Sequence, residues 1–257
     1  MRLYKPLLLV FLFGLHSAYA DDAPEKLHFN GRYLFAWNGI TLGRLVLGIE
    51  ERKDRYALHL LVSSEGIVNL FTRHVSDTEA SGIIKDGKYM PRHYESHYQT
   101  KHKPRHIKLT FNQEGAVIEE INEPPEDRSD RPEVPHKLKD GAYDPLSGMM
   151  AIRAGLLVLP AFDAKRLYEV KAVPDDKTVL RLAGKKYAAT GYIFSRTPLA
   201  GMTAKEMKEY SKGEPPLSFY FSDDARHIPL LIRLPMMLGS VEGKLVKECA
   251  TWEECRQ

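Results

Sequence analysis

The sequence predicts a mainly β protein, a curved antiparallel sheet or open β-barrel with one packed helix and a short surface helix. Three observations carry that prediction: apolar and polar residues alternate over many short runs, turn residues separate the runs, and only two stretches hold helix signals. Phe29, Gly31, Tyr33, Phe35 and Trp37 alternate with His28, Asn30, Arg32, Leu34 and Ala36, the period of a half-buried strand. Asn38-Gly39 then turns the chain, because a type I′ hairpin needs positive φ at both central residues. The returning strand is Ile40 to Ile49, and after the charged turn Glu50 to Asp54 a third runs from Tyr56 to Val62. Further strands are expected at Tyr89 to Gln99, His106 to Asn112, Ala116 to Ile121, Arg166 to Val173, Thr178 to Leu182, Tyr187 to Ser195, Leu217 to Ser222, Ile228 to Leu234 and Val241 to Val246. Their turns are rich in Gly, Asp, Asn and Pro.

Asp144-Pro145 opens the first helix, with Asp as N-cap and Pro at the first helical position, and the apolar run predicts a buried helix through Leu157. Thr203 and Glu206 have capping-box spacing and open a short charged helix to Ser211, read as a surface lid, with Gly213 and Pro215-Pro216 to end it. Between the β-rich halves, residues 123–139 hold four prolines and many charges, which predicts a mobile loop within a single domain over residues 21–257.

Residues 1–20 read as a secretory signal. Arg2 and Lys5 precede an apolar core from Leu7 to Leu15, and Ser17-Ala18-Tyr19-Ala20 forms a small-residue cleavage site ahead of Asp21. The run is about half the roughly 20 residues that span a bilayer, so cleavage, export and a soluble periplasmic protein without a transmembrane segment are expected. The formal charge of +3 falls by two when that segment leaves, so nothing in the composition asks for nucleic acid. Cys249 and Cys255 lie in the last nine residues, and an oxidising compartment lets them pair. Closing so small a loop is worth about 2 kcal/mol and staples a tail.

Three patches resemble one bacterial family, catalogued as domain of unknown function 3108: Trp37-Asn38-Gly39-Ile40-Thr41-Leu42-Gly43, Asp144-Pro145-Leu146-Ser147 running to Arg153, and Ser222-Asp223-Asp224-Ala225-Arg226-His227-Ile228-Pro229. The resemblance runs from about His28 to Val246. It implies an exported envelope protein with an open, strongly curved sheet, similar in outline to periplasmic lipoprotein carriers, and it assigns no catalytic residue.

Each patch also has a structural reading. Gly39 and Gly43 suit a tight turn and a close backbone approach. Asp144 caps the helix, and Arg153 is expected to be buried and to meet Asp223 or Asp224 on the sheet, against an exposed Arg as the plain alternative. Ser222-Asp223-Asp224 reads as a turn, since adjacent carboxylates in an extended chain point to opposite sides. His93, Glu95 and His97 alternate with Tyr94, Ser96 and Tyr98, so a strand would present two imidazoles and a carboxylate on one face, acceptable ligands for zinc or iron. With Lys101, His102, Lys103, Arg105 and His106 beyond, the plainer reading is a wet basic outer face that could also hold lipid headgroups or polysaccharide.

No nucleophile elbow, P-loop or dinucleotide fingerprint occurs in the chain, and no cofactor is expected. The expected role is therefore non-enzymatic: an envelope protein binding a lipid or other apolar ligand on a concave face that carries Trp37, Tyr192, Phe194, Phe219 or Phe221. That reading fails if Leu146, Met149, Met150 and Leu156 fill the concavity. An envelope scaffold docking a protein or polysaccharide is the alternative, and a metal-dependent hydrolase the third.

Overall fold

A computed structural model describes residues 27–257 other than 72, 102 and 214. The expected export signal and its cleavage site lie outside the described residues, as does His102.

Among the described residues, thirteen strands form one antiparallel sheet. The N-terminal meander comprises β1 (Leu27–Trp37), β2 (Ile40–Glu51), β3 (Arg55–Ser64), β4 (Val75–Lys85), β5 (Lys88–Gln99), β6 (Pro104–Phe111) and β7 (Val117–Glu123). The C-terminal meander comprises β8 (Val158–Phe162), β9 (Leu167–Leu182), β10 (Lys185–Ala200), β11 (Leu217–Ser222), β12 (Pro229–Pro235) and β13 (Ser240–Cys249). The first strand pairs with the last, so the order runs β7-β6-β5-β4-β3-β2-β1-β13-β12-β11-β10-β9-β8.

The sheet curls until its two edges approach without pairing. Asn122 Nδ2 on β7 donates to Ala164 O just past β8 at 3.4 Å. Residues 124–144 fill the seam. Tyr143 exchanges backbone hydrogen bonds with Pro160 and Phe162 at 2.8 Å each, which covers the free edge of β8. Lys139 Nζ reaches Glu120 at 2.5 Å, and Glu126 accepts from Lys165 at 2.7 Å. The segment read as a mobile loop thus carries buried anchors, Val134 in the core and Lys139 over the Phe162 ring.

The Asn38-Gly39 turn forms with φ of 46° and 83°, and a Cβ on Gly43 would lie 2.6 Å from the Ser63 carbonyl oxygen, the close approach expected there. Two strands escape the apolar pattern. β4 buries Thr78, Ala80 and Gly82, the glycine leaving room for the Tyr56 ring, and β8 lies where the helical run was expected to end. Arg166 to Val173 and Thr178 to Leu182 are one strand, β9: Pro174 pairs with Tyr192, and a bulge at Asp175-Asp176, opposite Gly191 of β10, carries the strand on to Lys177.

Four helices are described: α1 (Gly66–Phe71), α2 (Pro145–Arg153), α3 (Ala204–Tyr210) and α4 (Trp252–Arg256), with a 3-10 turn at His136–Lys139. α2 lies inside the curl against β4, β5 and β8, with Tyr56 donating to Ser147 Oγ at 2.8 Å. Asp144 caps it as expected, accepting from the Leu146 and Ser147 amides at 3.0 and 2.9 Å. It stops at Arg153 instead of Leu157, because Gly155 turns left-handed (φ 97°) and the Leu156 amide closes back on Ala151 O at 3.0 Å. Cys249 and Cys255 are disulfide-bonded and tie α4 to β13, where Trp252 stacks on His59 at 4.0 Å and Arg32 donates to the carbonyls of Glu254 and Cys255.

Candidate functional site

The register builds an apolar face across six strands. Trp37, Val241, Leu234, Leu217, Phe194 and Ala172 follow one another in pairing order from β1 to β9. A parallel row runs through Phe35, Gly243, Ile232, Phe219, Tyr192 and Pro174. These rows are concave, because α2 crosses the same side of the curl.

α2 fills only part of that concavity. Between it and the C-terminal strands lies a cavity of about 930 Å³, within the roughly 300–1,000 Å³ of small-molecule sites. Its floor is Val170 of β9, Phe194 of β10 and Leu217 and Phe219 of β11, with the Phe194 and Phe219 rings 4.8 Å apart. Gly148, Met149 and Ile152 of α2 and Leu159 and Ala161 of β8 form one wall. Tyr210, Ser211, Gly213, Pro215 and Pro216, at and beyond the end of α3, form the opposite lip.

Polar groups gather at one side. Tyr168 lies between two guanidinium groups, Arg196 at 5.1 Å and Arg166 at 5.6 Å from its ring. Arg166 also bonds Asp163 at 2.7 and 3.0 Å. Burial is the main cause that raises the Tyr168 hydroxyl above its usual range. An apolar slot with charge at one side suits an amphiphile.

α3 is fixed at its start and exposed along its length. The Thr203–Glu206 capping box forms, and Arg131 grips both Glu206 oxygens at 2.9 Å. That grip, first among its causes, holds the Glu206 carboxyl down at about 2. α3 buries no side chain, in keeping with its reading as a surface helix beside the cavity.

Of the five aromatic residues expected to face a ligand, Phe194 and Phe219 line the cavity. Phe221 is packed in the core edge-to-face with Tyr192, at 5.9 Å. Trp37 sits at the rim, its indole donating to Leu238 O at 2.7 Å. Met149 lines the cavity and Leu156 is exposed, so the four residues that could have filled the concavity leave it open. Sequence reasoning missed Met149 as lining, together with the β8 wall and Tyr168; assigning β8 as a strand was the signal that could have exposed that wall.

The Arg153 side chain is largely covered and pairs with the sheet, but its partner is Glu51 of β2 at 2.6 Å, not Asp223 or Asp224. Asp223 accepts from Thr190 at 2.6 Å, and Asp224 accepts from Ser222 at 2.7 Å and from the Arg226 amide at 3.1 Å. Asp223 is thus held by β10, and Asp224 by its own turn.

His93, Glu95 and His97 lie on the outer face, opposite the buried Ser96. Glu95 Oε1 accepts from His97 at 3.2 Å and His106 at 2.8 Å, and Oε2 lies 3.3 Å from His93. Partial burial opposes it, yet hydrogen bonds from His106 and His97 hold the Glu95 carboxyl below its usual range. Ligand atoms of Glu95, His97 and His106 lie within 4.8 Å of one another, a donor set acceptable to zinc. His106 replaces His93 in that set because it stands directly opposite His97 in the β5–β6 register. The His97 and His106 rings stack at 4.2 Å, and Glu95 Oε1 sits at the point on which both Nε2 atoms converge.

A family model for a protein of unknown function (DUF3108) matches residues 32–246. Among solved structures, the chain is similar to the β-barrel-like protein of domain of unknown function DUF1849 from Brucella abortus, at 15% identity and a TM-score of 0.53, covering 88% of this chain and 99% of that one. No curated protein matches. The structural likeness is one of fold.

Proposed function

The chain belongs to the DUF3108 family of proteins of unknown function, and on that premise we propose that it binds an apolar or amphiphilic ligand of acyl-chain character, as a non-enzymatic protein of the cell envelope. The cavity of about 930 Å³ between α2 and the β8–β11 face is the observation that carries this reading. Its walls are aliphatic and aromatic, and its charged groups cluster beside Tyr168. The signal-like N-terminus and the Cys249–Cys255 disulfide support a location outside the cytoplasm, the periplasm in a bacterium. Among the described residues no helix is long and apolar enough to cross a membrane.

Native mass spectrometry of protein purified from its own compartment tests the reading, with solvent extraction of anything bound. A reproducible lipid-sized adduct is expected. In a companion titration with a fluorescent fatty acid, Met149→Trp combined with Ala161→Trp fills the cavity and should weaken binding at least about tenfold. A clean apo mass together with equal probe affinity in wild type and double variant would sink the proposal and favour the scaffold reading.

A further inference from the structure

The two ends of the sheet differ in chemistry. At one end the turns are charged: Arg52-Lys53-Asp54, Asp86-Gly87, Gln113-Glu114 and Asp223-Asp224. Among the described residues, none of the large exposed hydrophobic side chains lies in those turns. The other end is built differently. The β12–β13 turn projects Met237 and Leu238, 96% and 67% exposed, with Met236 beside them. Trp37 and Asn38 of the β1–β2 turn bind the Leu238 carbonyl at 2.7 and 3.3 Å, which brings exposed Ile40 alongside. α1 presents Leu70 and Phe71, 68% and 69% exposed, and is held next to β2 through the Glu65 amide on Leu42 O at 2.9 Å. Val75, where β4 begins, extends the patch.

Monomeric proteins seldom leave so many large apolar side chains together on turns unless the surface meets something. The charge around the patch indicates what. Arg73, Lys101 and Lys103 are exposed on the neighbouring β3–β4 and β5–β6 connections, while Glu65, the acidic residue beside α1, is bonded to Arg44 at 3.2 Å. Apolar tips flanked by cations suit the boundary between anionic headgroups and acyl chains. Farther round the rim, Arg131 pairs with Glu206 of α3, and Lys165 pairs with Glu126.

We infer that this end of the protein docks on an anionic phospholipid bilayer, inserting Met237, Leu238, Leu70 and Phe71 with Arg73, Lys101 and Lys103 at the headgroups. The inference goes beyond the ligand reading and does not depend on what fills the cavity. Leu217 and Leu234 line the cavity at this same end, so a docked protein would hold the cavity close to the lipid surface.

Vesicle co-sedimentation of the protein, purified without detergent, tests the inference. Phosphatidylglycerol-containing vesicles should bind it at least tenfold better than pure phosphatidylcholine, and added salt should weaken the binding. Met237→Asp with Leu238→Asp changes side chains that stand in solvent, so the fold is retained by circular dichroism, and partitioning should fall at least tenfold. Lys101→Glu with Lys103→Glu should remove the lipid selectivity. The cavity-filled Met149→Trp, Ala161→Trp protein should still sediment, which separates failure of docking from failure of ligand binding. No sedimentation of wild type, or equal sedimentation of the Asp variant, overturns the inference. So does a concentration-dependent dimer that the Asp variant abolishes without any vesicle binding, because the patch would then be covered by a second copy.

Discussion

Replacing Arg153 with alanine should cost about 2–3 kcal/mol of folding stability, because it leaves a half-buried carboxylate without its cation. The Arg153 side chain is only 8% exposed, and Nη1 lies 2.6 Å from Glu51 Oε2. The other Glu51 oxygen accepts from Tyr89 at 2.7 Å, and Arg153 Nε donates to the Arg226 carbonyl at 3.2 Å. One side chain at the end of α2 thus ties three parts of the sheet together. After truncation, Glu51 keeps a single neutral donor in a poorly hydrated place. Removing both charges should do far less harm, since the net value of a buried pair is small once its desolvation is counted. Urea unfolding of Arg153→Ala, and of Arg153→Met with Glu51→Gln, measures this. An alanine variant within about 0.5 kcal/mol of wild type would mean that water screens the pair.

Asp144 should make the protein less stable as pH rises from about 4 to about 6. Burial, the largest cause, pushes its carboxyl up to about 6 despite hydrogen bonds from Ser147 and Leu146, against about 3.9 in an unfolded chain. Between those values the folded protein holds a proton that the unfolded chain has released. Its contribution is therefore fully present below about pH 4, is lost through the window and is constant above it, a change of about 3 kcal/mol. Oδ2 of Asp144 has no hydrogen-bond partner among the described residues, consistent with a site that disfavours a full charge. Glu206 acts in the opposite sense, but with its carboxyl held at about 2, that loss begins only as pH falls below about 4. Asp144→Asn keeps the cap acceptor and removes the titration. The stability of wild type relative to this variant should fall by about 2–3 kcal/mol between pH 4 and pH 7. Parallel curves would show that Asp144 is ionised throughout.

The caps were readable because they act within one turn of chain. Asp144 before Pro145 and Thr203 with Glu206 satisfy amides two or three residues away, and both form as expected. The Asn38-Gly39 turn was equally local. β4 was not legible, because its buried positions are Thr78, Ala80 and Gly82, small or polar residues, of which Gly82 lies against the Tyr56 ring. The long β9 was hidden by Pro174 and by the bulge at Asp175-Asp176 that follows it, opposite Gly191 of β10.

The site divides in the same way. The sequence by itself determined a mainly β chain, the inward aromatic residues of β10 and β11, the helix that enters the curl and the cysteine pair near its end, because periodicity, capping and small-loop closure are local. Only the tertiary structure decided that the edges β7 and β8 meet across residues 124–144, that Arg153 finds Glu51, that His106 joins His97 at Glu95, and that α2 leaves a cavity over Phe194 and Phe219. Each of these depends on strand register or packing between residues far apart in the chain, where a shift of one position turns every side chain to the other face.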